Sequence, residues 1–361
     1  ISELLDDQLF EDLDILGPEV KDLASSNPKI GKALIRLGDI LKKKDHELVN
    51  KLVEQTALAK QQNSWFTDSS IQTAFNAWGN ALNLDNLNAW LKAYDFDIEQ
   101  KKVGVIMAGN IPLVGLHDAL SVLISGHELH AKLSSKDRIL METVLFILGE
   151  IGEEWKSKIK QVEQLKEVDA LIATGSDNSA RYFEYYFRNQ KKLIRKNRTS
   201  IAVLDGNESK EQLEGLAKDV FTYFGLGCRN VTKVYLPEGF DKDRLFEAFY
   251  SWKEIINHNK YANNYDYNKA VYMLNKVELI ENGFLLLKED ENLHSPVGVL
   301  FYETYADWKV LKDKLSTQEE EIQTIVSHLN EATHTPFGKA QTPELWDYAD
   351  GVDTLAFLQE V

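Results

Sequence analysis

The single cysteine of the chain is the residue best suited to covalent chemistry. Cys228 lies in the stretch 224–230, Phe-Gly-Leu-Gly-Cys-Arg-Asn, where a helical pattern gives way to a strand pattern. The two glycines permit a tight, exposed turn, and a thiolate close to the cation of Arg229 has a lowered pKa. Such a thiolate can attack an activated acyl group and hold it as a thioester. The alternative is an inert thiol, because free cysteines are among the most buried residues.

Asn110 is a second candidate for chemistry. It follows the apolar run 103–108 and directly precedes an Ile-Pro pair. Its side-chain amide can donate a hydrogen bond to an oxyanion, or it can form an Asx turn. The glycine-rich dinucleotide fingerprint is absent from this turn. The residue types alone therefore leave both roles open.

Two further turns have residues that can bind a phosphorylated ligand. Thr174, Gly175 and Ser176 follow the apolar run 169–173, where a hydroxyl and helix amides can bind a phosphate. The same tripeptide is equally an ordinary helix cap. Lys132 ends another short strand pattern, where its ammonium group can reach a ribose or remain solvated.

The periodicity of the chain changes near residue 100, and the later elements must position these residues. Before that point apolar residues recur at helical spacing. Beyond it, short apolar runs alternate with helical patterns, which indicates parallel sheets with ligands at the carboxyl ends of the strands. The strand patterns lie at 103–108, 130–133, 169–173, 200–204, 231–236, 284–287, 297–302 and 322–326. We therefore predict an α/β fold of two parallel-sheet domains after a helical N-terminal region.

The composition of the chain excludes several classes of protein. The chain has 361 residues, of which 43% are hydrophobic, and a net charge of −16. It is therefore expected to be globular and not to bind nucleic acid, since phosphate contacts need a basic surface. No apolar run reaches the roughly 18 residues of a membrane span. One cysteine excludes an internal disulfide, and no metal-binding motif is present, so we expect a cytoplasmic protein without a metal.

Taken in order, these turns resemble the aldehyde dehydrogenase superfamily, and within it the fatty acyl-CoA reductases of the LuxC type, over about residues 95–361. The matching stretches are Ala108-Gly109-Asn110-Ile111-Pro112, Ala131-Lys132-Leu133-Ser134-Ser135, Ala173-Thr174-Gly175-Ser176, Gly225-Leu226-Gly227-Cys228 and Pro336-Phe337-Gly338. The resemblance implies that Cys228 is the nucleophile and Asn110 the oxyanion donor. It also implies that Lys132 contacts the adenosine ribose of a nicotinamide cofactor, and that the turn ending at Ser176 contacts its pyrophosphate.

Three departures from the family pattern refine this expectation. Ile194 occupies the position of the general-base Glu of hydrolytic members, so a thioester intermediate is not readily hydrolysed. Ser135 replaces the acid that would repel a 2′-phosphate, which favours NADPH, with NADH as the alternative. The family's Glu-x-Phe-Gly-Pro motif is matched only loosely by residues 291–297, so Glu291 is only a candidate for the nicotinamide ribose.

The resemblance implies an aldehyde-dehydrogenase-like fold divided in four parts. These are 1–94, a helical region on the cofactor domain; 95–204, the NAD(P)-binding domain; 205–335, the catalytic thiol domain; and 336–361, a tail that returns to the first domain or to a partner subunit. A homo-oligomer is compatible with this arrangement.

The function implied is NADPH-dependent reduction of acyl-CoA, with a fatty acyl substrate, through a thioester on Cys228. Three alternatives remain from the sequence. The same fold can reduce an acyl phosphate or another activated acyl donor, or oxidise an aldehyde with NAD(P). The chain can also be a non-catalytic acyl-binding subunit.

Overall fold

The computed structural model describes residues 28–42, 47–94, 96, 98–175, 177–329 and 334–361. Within these ranges it contains two parallel sheets with helices on their faces, as the alternation of strand and helix patterns predicts. No helix in the described ranges combines the length and the apolar content needed to cross a membrane. The predicted phosphate-binding residue Ser176 lies outside the described residues.

In the described part of the N-terminal region, four helices form one layer. They are α1 (Pro28–Lys42), α2 (Glu47–Gln62), α3 (Asp68–Ala81) and α4 (Leu84–Leu91). Their apolar side chains share one core with the first sheet, since an amphipathic helix must bury its apolar stripe. Helix α3 begins with a capping box, in which Thr67 and Ser70 satisfy each other's backbone N–H groups.

The first sheet has five parallel strands in the order β3-β2-β1-β4-β5. Its elements are β1 (Lys102–Ile106), α5 (Leu116–Ile124), β2 (Glu128–Lys132), α6 (Arg138–Ile151), α7 (Glu153–Lys158), β3 (Ile159–Gln161), β4 (Ala170–Thr174), α8 (Asp177–Tyr186) and β5 (Lys191–Arg195). The central strands are apolar because helices cover both faces. The edge strands β3 and β5 carry lysines and lack an apolar run, which is why the sequence pattern missed them.

The second sheet has seven strands in the order β12-β11-β6-β7-β10-β9-β8. Its elements are β6 (Thr199–Val203), α9 (Lys210–Phe221), β7 (Val231–Pro237), α10 (Asp243–Phe249), α11 (Asn259–Leu274), β8 (Ile280–Glu281), β9 (Leu286–Glu289), β10 (Val299–Tyr305), α12 (Trp308–Ser316), β11 (Ile322–Val326) and β12 (His334–Thr335). All pairings are parallel except that of β8 with β9. Strand β6 pairs with β7 and β11, although the predicted boundary at residue 204 assigned it to the first domain.

The C-terminal segment, residues 336–361, contacts both halves of the molecule. The carboxylate of Asp219 on α9 accepts hydrogen bonds from the backbone N–H groups of Gly338 at 2.6 Å and Ala340 at 3.0 Å. Further on, helix α13 (Thr354–Gln359) packs against α5 and adds its leucines to the core of the first sheet. The segment therefore bridges the helices of the two sheets.

Candidate active site

The loop that holds Cys228 connects helix α9 to strand β7, and its backbone is strained. Tyr223, Phe224 and Gly225 have successive φ angles of +55°, +60° and +78°. Only the glycine adopts this left-handed conformation without a steric penalty. Strain of this kind persists where the surrounding structure enforces it, as commonly happens at functional sites.

The side chain of Asn230 enforces the shape of this loop. Its Nδ2 atom donates to the carbonyl oxygens of Asp219 at 3.0 Å, Val220 at 3.2 Å and Thr222 at 2.7 Å. Its Oδ1 atom accepts from the N–H of Gly227 at 2.8 Å. Asn230 is fully buried, and only an amide combines these donors with an acceptor. No pattern in the sequence pointed to this role of Asn230.

The structure brings Asn110 and the thiol loop together. The Nδ2 atom of Asn110 donates to the carbonyl oxygen of Leu226 at 2.6 Å, two residues before Cys228. This bond joins the carboxyl end of β1 in the first sheet to the amino end of β7 in the second. A side-chain amide has two hydrogens, and this bond uses one of them.

A buried carboxylate supports the turn that carries Asn110. Asp137 Oδ2 accepts a hydrogen bond from the N–H of Leu113 at 2.8 Å, and Leu113 itself has a left-handed φ of +59°. Burial raises the pKa of Asp137 well above its usual range. Asp137 directly precedes helix α6 but makes no side-chain cap bond there, because its carboxylate is engaged by a turn distant in sequence.

The cavity beside Cys228 has a volume of about 190 Å³. One wall is apolar and comes from helix α3 and the turn after Asn110. The residues of this wall are Ala74, Ala77, Trp78, Ala81, Ile111, Pro112, Leu113 and Val114. The polar residues of the lining include Arg195, Arg229 and Gln341. The helical pattern of α3 was visible in the sequence, but its position beside the thiol was not.

A buried ion pair forms part of the polar wall. The Arg195 guanidinium at the end of β5 binds both carboxylate oxygens of Asp118 through Nη1 and donates to Thr354 Oγ1 through Nη2 at 2.7 Å. All three side chains are buried. Breaking a buried pair leaves one charge without compensation, so this contact fixes β5, α5 and α13 relative to one another.

The predicted cofactor residues lie at the carboxyl edge of the first sheet. Lys132 ends β2 and Thr174 ends β4, and both are half-buried, whereas Ser135 is exposed in the turn after β2. The N–H of Gly175 donates to the carbonyl oxygen of Arg195 at 3.3 Å. These four residues therefore share one edge, as parallel strands require.

Glu291 lies in a different place, after β9 of the second sheet, with an exposed side chain. Its carbonyl oxygen accepts from Lys233 Nζ at 2.9 Å. Two residues later, the carbonyl oxygen of Leu293 accepts from Thr232 Oγ1 at 2.8 Å. The segment that carries Glu291 is thus held against the start of β7, close in sequence to Cys228.

A group of three potential metal ligands lies apart from the thiol. Asp205, Glu208 and His328 have ligand atoms within 4.8 Å of one another. They follow β6 and β11 at the carboxyl edge of the second sheet, whereas Cys228 precedes β7 at the amino edge. Glu208 already accepts hydrogen bonds from the backbone N–H groups of Asp205 and Gly206, which shows a role in shaping the loop.

The pKa of the Cys228 thiol differs from the value expected from the sequence. Cys228 is accessible from the cavity, but desolvation by the surrounding protein raises the pKa of its thiol. The guanidinium groups of Arg229 and Arg195 oppose this effect, and the carboxylate of Asp350 adds to it. The predicted lowering of the thiol pKa was therefore wrong, because desolvation by the surrounding protein outweighs the neighbouring cations.

We expect the alkylation of Cys228 by iodoacetamide to keep accelerating above about pH 8.5, the usual cysteine pKa. A raised pKa leaves less thiolate at neutral pH, so the rate should still be rising where a free thiol levels off. Arg229→Gln removes a positive charge and should slow alkylation further at about pH 8. Arg36→Gln, at an exposed position on α1, is the control. A wild-type rate that reaches its plateau near neutral pH would contradict this assignment.

Comparison with known proteins identifies the family. The sequence model of the LuxC acyl-CoA reductase family matches residues 32–243. No curated protein matches the sequence. Solved structures with the same fold include aldehyde dehydrogenase 21 of Physcomitrella patens in complex with succinate, at 14% identity and TM-score 0.57, covering 86% of this chain and 76% of that one. An aldehyde dehydrogenase of Mycobacterium tuberculosis complexed with NAD+ is 13% identical at TM-score 0.59, covering 85% and 74%. The aldehyde-dehydrogenase-like fold is thus confirmed, and the chain belongs to the LuxC family of acyl-CoA reductases.

Proposed function

We propose that the chain reduces an acyl-CoA to the aldehyde through a thioester on Cys228. The observation that carries this proposal is the hydrogen bond from Asn110 to the thiol loop, which holds an amide against the backbone two residues before the nucleophile, and Cys228 itself lines the cavity. The Cys228 thiolate attacks the thioester carbonyl carbon, and a new carbon–sulfur bond forms. The bond to CoA then breaks, and the CoA thiolate takes a proton from solvent.

Two donors stabilise the tetrahedral oxyanion in this scheme. They are the second hydrogen of the Asn110 amide and the backbone N–H of Cys228. Donors that are already fixed in place stabilise the oxyanion most strongly, because they need little reorganisation during the reaction. Asn230 and Asp137 supply that rigidity by holding the two turns.

At the position where hydrolytic relatives carry a general base, this chain has a residue that cannot activate water. Ile194 is half-buried near the end of β5, and its side chain cannot accept a proton. A thioester on Cys228 would therefore persist until it is reduced. This property disfavours the aldehyde-oxidising alternative, in which water must release the acid.

The residues at the carboxyl edge of the first sheet fit a nicotinamide cofactor. A Cβ atom at Gly109 would lie 2.5 Å from Ser134 Oγ, so the turns after β1 and β2 are packed in contact. Lys132, Thr174 and Gly175, with Ser176, would hold the ribose and pyrophosphate, and Glu291 is the candidate for the second ribose. When bound, NADPH would supply a hydride to the thioester carbonyl carbon. The carbon–sulfur bond to Cys228 then breaks, so the aldehyde leaves and the Cys228 thiolate is regenerated.

The direct test is to incubate the protein with acyl-CoA and NADPH. NADPH loss, aldehyde formation and the intact mass of the protein should be followed together. We expect an acyl mass increment without NADPH and its disappearance when NADPH is added. Parallel reactions with an acyl phosphate, and with an aldehyde plus NADP+, separate the alternatives. An acyl phosphate that reacts while acyl-CoA does not would refute the proposed substrate.

The donor preference is a second test. We expect a higher kcat/KM for NADPH than for NADH, because exposed Ser135 leaves room for a 2′-phosphate. Ser135→Glu should lower kcat/KM for NADPH by on the order of tenfold, about 1.4 kcal/mol, through charge repulsion. Ser316→Glu, exposed on α12, is the matched control. A wild-type preference for NADH would exclude this role for Ser135.

A further inference from the structure

Lys233 is a buried cation that the proposed scheme does not use. It lies on β7, five residues after Cys228, and its side chain is fully buried. Its Nζ atom donates to Glu303 Oε2 at 2.8 Å and to the carbonyl oxygen of Glu291 at 2.9 Å. A buried charge is costly unless it is paired and hydrogen-bonded, so these two contacts stabilise the ammonium group in this position.

A second cation limits what the ion pair alone explains. Lys314 on α12 also binds the carboxylate of Glu303, through its other oxygen. Glu303 would therefore keep a cationic partner if Lys233 were absent. The contact that Lys314 does not replace is the one between Lys233 and the carbonyl oxygen of Glu291.

Thr232, the residue before Lys233, binds the same segment of the chain. Its Oγ1 atom donates to the carbonyl oxygen of Leu293 at 2.8 Å, and its own carbonyl oxygen accepts from Ser295 Oγ at 2.8 Å. The register of β7 against β6 shifts at Thr232, and an irregularity of this kind re-aims side chains. Two consecutive residues of β7 therefore bind the segment 291–295 by three hydrogen bonds.

The segment 291–295 continues into a turn beside the thiol loop. A small cavity of about 20 Å³ is lined by Phe224 and Gly225 of that loop and by residues 295–299. Strand β7 starts three residues after Cys228, so the beginning of this strand supports both the nucleophile and the segment that carries Glu291. The Glu291 side chain is exposed, which leaves its carboxylate accessible to a ligand.

Building on the proposed acyl-CoA reductase function, we propose that Lys233 is a positioning residue for the hydride-transfer step. Through the carbonyl oxygen of Glu291, it fixes the carboxylate expected to bind the nicotinamide ribose relative to the thioester on Cys228. A misplacement of about 1 Å between reacting groups can cost about 10²-fold in rate. Formation of the thioester does not use Glu291 in the proposed scheme. Loss of Lys233 should therefore affect reduction of the acyl-enzyme and not its formation.

The experiment separates the two half-reactions in Lys233→Met, whose side chain has a similar length but no donor. Acylation without NADPH, followed by intact mass, should proceed at the wild-type rate. Reduction of the preformed acyl-enzyme should slow by on the order of tenfold or more. The Kd for NADPH, measured by calorimetry on the unacylated protein, should rise by about twofold to tenfold. Lys314→Met, which removes the other cation beside Glu303, is the matched control and should retain wild-type values of all three.

A double-mutant cycle tests whether Lys233 acts through Glu291. Glu291→Gln should by itself slow reduction and raise the Kd for NADPH. Adding Lys233→Met should then cause little further loss, because residues that act through one another are not additive. Thr232→Val keeps the size of the side chain but removes the hydroxyl that binds Leu293, and it should also slow reduction. Thermal unfolding midpoints are recorded for every variant.

Reduction at the wild-type rate in Lys233→Met would overturn this inference, as would equal slowing of acylation and reduction or fully additive losses in the double variant. If Lys233→Met does not fold, wild-type reduction in Glu291→Gln or in Thr232→Val overturns it instead. In all these cases an acyl mass on Cys228 leaves the proposed function intact. If no acyl-CoA marks Cys228 in the wild-type protein, the proposed function fails and this inference fails with it.

Discussion

Cys228→Ala is expected to abolish acyl-enzyme formation and to lower kcat/KM for acyl-CoA reduction by at least about 10⁴-fold, as removal of a nucleophile does elsewhere. The thiol forms the covalent bond in the proposed scheme, and no other side chain in the loop can replace it. Cys228 is the only cysteine of the chain, so a thioester has no second site to which it could move. This makes the intact mass of the protein an unambiguous measurement.

The variant should remain folded, because Cys228 faces the cavity and is accessible. Its thermal unfolding midpoint is the control, and binding of NADPH should be retained. Cys228→Ser provides the matched comparison, with a hydroxyl of similar shape but much weaker nucleophilicity. Reduction of acyl-CoA by a well-folded Cys228→Ala protein would rule out the thioester mechanism and favour a direct reaction on bound substrate.

Asn230→Asp should reduce kcat by on the order of 10²-fold and leave KM for acyl-CoA nearly unchanged. The side chain keeps its shape, but its Nδ2 donor becomes an oxygen that faces three carbonyl oxygens. The loop then loses the bonds that hold the left-handed backbone, and the thiol is displaced from Asn110. Misplacement of a reacting group lowers the rate of chemistry more than it lowers substrate affinity.

Stability must be measured beside activity, since an unsatisfied buried polar group costs about 1–3 kcal/mol. Asn275→Asp is the control, because its amide donates to one carbonyl at the exposed end of α11. Ser200→Ala removes a smaller support, the bond from Ser200 Oγ to the Cys228 carbonyl, and should lower kcat in the same direction. If Asn230→Asp loses stability but each folded molecule is acylated at the wild-type rate, Asn230 only supports the fold.

The sequence predicted those parts of the fold that depend on local pattern. Strands β1, β4 and β7 are apolar runs between turn residues, and the structure contains all three. The order of the turns sufficed to relate Asn110 to Cys228 through the family resemblance. Strand β5 was missed because its lysines and arginine mask the pattern, even though its register with β4 is regular.

The remaining features depend on contacts between residues far apart in sequence. Arg195 and Asp118 are 77 residues apart, and neither carries a local signal that the other is its partner. The thiol pKa was predicted with the wrong sign because Arg229 is adjacent in sequence, whereas desolvation by the folded protein, which outweighs it, leaves no signal near Cys228 in the sequence. The position of Gln341 in the same cavity as Cys228 likewise could not be predicted, because the cavity is formed by segments far apart in the sequence.

The route of the C-terminal segment has a consequence for biosynthesis. A ribosome delivers the chain from its N-terminus, and domains fold as they emerge. The Asn110 turn and the thiol loop are therefore complete before residues 336–361 appear, although these residues supply Gln341 and bind Arg195 and Arg229. The nascent protein therefore has its nucleophile before it has the part of the cavity wall that this segment supplies.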